Sequence, residues 1–169
     1  MILALIVISE LYILNSGGVL LTLVQALKVI GITILCCLSS SLTMLFFVSF
    51  LKNEQTLSLL STIVGTMIGF VTGAYIPMGI MPSAVQMVSN VIPASQGASL
   101  LRKIFLEQPM NQVFAGSTTA INEYSKMQGV DLYFSKTELT SGFMIAFIVG
   151  SIIVFAIINI IRFRKMKNN

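Results

Sequence analysis

The chain has 169 residues, of which 56% are hydrophobic and only 9% charged, with a net charge of +4 and no histidine. Ordinary soluble domains carry about 25% charged residues, so this composition excludes a soluble fold and describes an integral membrane protein. It also excludes zinc chemistry and a structural disulfide, because the two cysteines, Cys36 and Cys37, are adjacent in an apolar run and serve as small hydrophobes.

Residues 1–14 (MILALIVISELYIL) are apolar but short, and Glu10 interrupts them. They lack the basic flank and the cleavage site of a signal peptide, so they read as a partial span with Glu10 at an interface, beside the NSGG turn at 15–18. Residues 19–28 suit one or two interfacial helical turns. The run 29–51 is a clean, uncharged span, in which Ser39, Ser40, Ser41 and Thr43 are read as helix-packing residues; no histidine or neighbouring acid is present to make a serine nucleophilic.

Lys52, Asn53, Glu54 and Gln55 form a tight polar connection to a second full span at 56–76. From Gln55 to Leu101 no side chain is charged, which is too long for one crossing at about 1.5 Å per residue through a core about 30 Å thick. Pro77, Pro82 and Pro93 make a second straight crossing unsuitable. The expected arrangement is a re-entrant helical hairpin at 77–106 on the outer side, with helices over 82–91 and 94–106 and with Pro82 and Pro93 at their starts. Irregular backbone at membrane depth must be satisfied by protein, so neighbours are expected for the carbonyls freed near Pro77 and Pro93. Gly65, Gly69 and Gly73 recur every fourth residue, which predicts a bare helix-packing ridge on one face of the 56–76 span.

Residues 107–138 form an extracellular polar region holding Glu107, Glu123, Asp131 and Glu138 against Lys126 and Lys136. The last full span is 139–161, and the basic tail 162–169 follows at once. Its Arg162, Arg164, Lys165 and Lys167 act as a topology signal that places the C-terminus in the cytoplasm of a plasma-membrane protein, not as a nucleic-acid platform. The fold expected is therefore an all-α membrane protein with three full transmembrane helices, a partial N-terminal one and the hairpin before the last span.

The order of these parts resembles a known family. A span, a short K-x-E loop at Lys52–Glu54, a glycine-rich span and G-x-Y-x-P at Gly73, Tyr75 and Pro77 are followed by Pro82, Pro93, Leu101–Arg102 and a final span with a basic tail. This is similar to the C-terminal half of ABC-2 type permeases, the membrane subunits of ATP-binding-cassette exporters, over roughly residues 29–167, most specifically over 68–105. The resemblance implies a re-entrant pair of outer helices at this segment and a six-span permease in full, of which this chain matches the part beginning inside the third span. It also implies a second permease domain, as homo- or heterodimer, and a cytoplasmic P-loop ATPase subunit that Lys52 and Glu54 could face. The chain carries no G-x-x-x-x-G-K-[ST], so ATP hydrolysis belongs to that partner and no cofactor is expected here. An apolar or amphipathic cargo suits spans without charge. The alternative is a membrane accessory or immunity protein that binds another membrane complex without transporting anything.

Overall fold

The structure is a computed structural model that describes residues 22–51, 53–134 and 137–167. The expected partial span at 1–14, Glu10 and Lys52 lie outside them. Six α-helices are described: α1 (Leu23–Val48), α2 (Glu54–Val71), α3 (Ser83–Val91), α4 (Pro93–Val113), α5 (Thr118–Gln128) and α6 (Ser141–Lys167). A 3-10 turn at Met78–Ile80 precedes α3, and a two-residue antiparallel pair, β1 (Tyr133–Phe134) with β2 (Thr137–Glu138), precedes α6. Three of the helices, α1, α2 and α6, are long and apolar enough to cross a membrane. The chain is a membrane protein of all-α type.

Several boundaries differ from those expected. α1 begins at Leu23 and not at 29, because Thr22 and Gln25 form a capping box: the Thr22 hydroxyl accepts the Gln25 amide, and the Gln25 side chain accepts the Thr22 amide at 2.9 Å. Lys28 is therefore an exposed residue inside the helix. α2 stops at Val71 and not at 76. Gly73 follows it with φ +73°, its amide bonding Phe70 O and the Ala74 amide bonding Gly69 O, the Schellman arrangement that ends a helix. α4 passes 106 and runs through Pro109 to Val113, so the polar region is largely helical: it holds the end of α4, all of α5 and the β1–β2 pair. α6 runs through the basic residues to Lys167, which makes the tail the last turns of a helix.

The core is a bundle of α1, α4 and α6. Ile32 of α1, Leu100 of α4 and Met144 and Ile148 of α6 share one buried cluster with Met78, Met81 and Leu132 from the connecting segments. α1 and α6 run parallel, since Ser39 meets Ser151, the Asn159 amide meets Leu42 O and Arg162 meets Ser49 O in ascending order along both helices. α4 enters between them. The Gly97 backbone lies so close to Cys36 that a Cβ there would collide with the Sγ, and the Ser99 hydroxyl sits 3.7 Å from the Met144 sulfur. Small residues permit such approach, and in lipid close packing with polar contacts replaces hydrophobic burial as the force joining helices.

Candidate functional site: the helix pair clasped by Arg102

α3 and α4 are two helices meeting at Ile92, and the sequence explains why the chain turns there. Pro82 stands immediately before α3 and Pro93 is the first residue of α4, the positions where a missing amide costs least. The carbonyls freed around the turns find side-chain donors. Val71 O, at the end of α2, accepts from the hydroxyls of Ser89 (2.6 Å) and Ser95 (3.4 Å), and Asn90 O, beside the Ile92 turn, accepts from the Gln96 amide. Ser89, Ser95 and Gln96 are buried within 1% of full exclusion. The polar residues around the Ile92 turn are thus its interior.

Arg102 organises the other end of the pair. Its Nη2 donates to Gly73 O at 2.8 Å and its Nη1 reaches Gly129 O at 3.5 Å. Gly73 terminates α2 and Gly129, with φ +68°, terminates α5 by the same Schellman pattern, its amide bonding Lys126 O and the Val130 amide bonding Ser125 O. One guanidinium therefore faces two helix C-termini, whose unpaired carbonyls carry partial negative charge. Met78 fills the gap: a Cβ on Gly129 would stand 2.6 Å from its Cγ, and one on Gly73 3.3 Å. The Ser99 hydroxyl donates to Val130 O and the Asn90 amide to Tyr133 O, which fasten the segment after α5 to the same pair. Lys103, the next residue of α4, binds Asp131 at 2.9 Å and approaches Glu138 at 3.5 Å. Burial, with Asp131 and Glu138, pushes the Tyr133 phenol above its ordinary range, against the opposing pull of Lys103.

The residues singled out in the sequence meet different fates here. Tyr75 lies across Gly69, where an added Cβ would run into its ring, and stacks edge-on with Phe70 at 5.2 Å. Gly73 is outside α2, so the expected ridge of three glycines on one helix face is not formed: Gly65 meets nothing, Gly69 is covered by Tyr75, and Gly73 turns the chain. The same spacing of four serves helix packing and helix termination alike, and the φ > 0 at Gly73 decides for the second. Pro77 precedes the 3-10 turn, where Gly79 lies against the Met127 backbone of α5. Glu54 opens α2, exposed at the end where a carboxylate complements the helix dipole.

Arg162, expected as a topology signal, has contacts of its own. It donates to Ser49 O at 2.8 Å and stacks on the Phe50 ring at 3.5 Å, joining α6 to the turn that leads into α2, while Arg164 and Lys165 are exposed. Sequence reasoning missed Gly129, Met78 and Ser99. Gly129 was the recoverable one, because a glycine closing the helical stretch Thr118–Gln128 is an ordinary termination signal.

A narrow cleft of about 80 Å³ opens between α1, α2 and the start of α4, lined by Ser39, Ser40, Thr43 and Phe47 on one side and Ile68 and Pro93 on the other. Among the described residues no cluster of metal-ligating side chains exists. Comparison with family models, with curated proteins and with solved structures finds no match to this chain.

Proposed function

We propose that this chain is the C-terminal half of the membrane subunit of an ABC-2 type exporter, working with a second permease domain and driven by a separate P-loop ATPase. The observation that carries this reading is the position of the α3–α4 turn. Pro93 lies in the cleft with Ser39 to Phe47 of α1, more than halfway along that helix from Leu23, whereas Arg102 and Lys103 lie with the polar segments after α5. A helix pair turning back beside that part of α1 is what a re-entrant element requires, and the donors found for Val71 O and Asn90 O support it, because irregular backbone within a bilayer must be satisfied by protein.

With the basic end of α6 in the cytoplasm, as the excess of Arg and Lys there favours, the Arg102 clasp faces outside and the Ser49 turn, Glu54, Arg164 and Lys165 face the ATPase. The cleft walls carry no charge, which suits an apolar or amphipathic cargo. Under this reading the α3–α4 pair closes the outer end of the path, and ATP hydrolysis shifts the packing of α2 against it.

The test is purification of the tagged chain from its native membrane in mild detergent. A P-loop ATPase recovered in stoichiometric amount, and lost on Glu54→Lys with Lys165→Glu, is the expected result. Recovery of a different membrane complex with no ATPase would replace the exporter by an accessory role.

A further inference from the structure

A cavity of about 520 Å³ lies between the 3-10 turn, α3, the end of α5 and β1, away from the cleft described above. That volume is within the range of small-molecule sites, which pair an apolar wall with a few placed polar groups. Met78, Met87 and Leu132 provide the apolar wall here, and Ser83, Asn90 and Lys126 the polar one. Methionines fill irregular space and repack around different shapes, which suits a ligand wall.

The charges lining the cavity are not equivalent. Asp131 is committed to Lys103 at 2.9 Å, whereas the Lys126 ammonium has no carboxylate within bridging distance among the described residues; it stands 5.6 Å from the centroid of the Tyr133 ring. The positive charge at this site is therefore the one left to be matched. The apolar wall also continues beyond the cavity. Met87 and Val91, one turn apart on α3 and so on one face, are 61% and 58% exposed. Both side chains face outward beside the mouth of the cavity, so an alkyl chain leaving it can lie along them.

We infer that this cavity binds the anionic head of an amphiphile, a phosphate or carboxylate against Lys126, with its alkyl chain running over Met87 toward Val91. A cationic head is disfavoured by Lys126. A free anion would use the lysine but leave the apolar wall unused. The site's chemistry does not depend on what drives transport, so it stands or falls apart from the exporter reading.

The experiment is native mass spectrometry of the full chain in an uncharged maltoside detergent, titrated in parallel with dodecyl phosphate, inorganic phosphate and dodecyltrimethylammonium. One dodecyl phosphate per chain is expected to bind saturably. Loss of a charge-assisted contact by Lys126→Gln should weaken it about tenfold or more. Lys126→Arg should retain it, and Met87→Gln should weaken it without removing the charge preference. Because Lys126 and Met87 are exposed, these variants are expected to elute as the parent does. Unchanged binding by Lys126→Gln, equal binding of inorganic phosphate, or equal binding of the trimethylammonium amphiphile would each overturn the assignment.

Discussion

α2 and α4 are built on opposite plans. α2 is apolar enough to span a membrane and buries no residue; Leu59, Ile63, Met67 and Phe70 are all exposed. α4 is far more polar, yet buries Ser95, Gln96, Gly97, Ser99 and Leu100 near its start. In water this distribution would be inverted. In a bilayer the solvent is as apolar as leucine, so greasy side chains gain nothing by turning inward, and the interior goes to groups that can pack tightly or hydrogen-bond. The difference teaches that polar α4, wedged between α1 and α6, and not the exposed span α2, holds this fold together.

That contrast can be broken most forcefully at Arg102. Arg102→Met should cost about 3 kcal/mol or more, since it removes charge-assisted bonds to two partly buried carbonyls, and should loosen α2 and α5 together. Reversible unfolding in mixed micelles measures the first effect, and hydrogen exchange at Gly73 and Gly129 the second. Gly97→Ala comes next, at about 1–3 kcal/mol from overpacking against Cys36. Because the clash is with a single Sγ, Cys36→Ala in the same chain should recover at least half of that loss. A double-mutant cycle on Ser39→Ala and Ser151→Ala should give a coupling of about 0.6 kcal/mol, typical of hydrogen bonds between membrane helices. Last, Gly65→Ala should cost nothing and stabilise α2 by about 0.5–1 kcal/mol, as an added Cβ meets nothing and alanine favours the helix. A large loss at Gly65 would show that α2 has a partner beyond this chain, and would sharpen its contrast with α4 into one between an intermolecular and an intramolecular interface.

How much of this was readable in advance follows from which physics each feature obeys. Uncharged length and proline position are local properties, so three apolar helices and the paired helices near Pro82 and Pro93 were expected, with the proline positions as placed. Lys28 looked like a boundary, but one lysine on an exposed face does not stop a helix that Thr22 and Gln25 have capped. The end of α2 was misplaced because apolarity continues through Tyr75 and Ile76 while the backbone reverses at Gly73. Arg102 read only as the charge that ends the uncharged stretch and as half of the Leu101–Arg102 pair; its two carbonyl partners lie 29 and 27 residues away in either direction and leave no trace in local pattern. The α1–α6 seam is more distant still, with Asn159 and Leu42 separated by 117 positions.

The parallel course of α1 and α6 has a consequence for how the molecule is made. Two parallel neighbours cannot arise as a hairpin from the ribosome; everything between them must be made first. α4 therefore waits with Leu100 lacking its α6 neighbours until α6 is released, and the serine–serine and asparagine–carbonyl contacts of α6 close after those of the elements before it. A nascent chain stopped before residue 141 should hold every described element except the one that completes its core, so that core stays open until α6 follows.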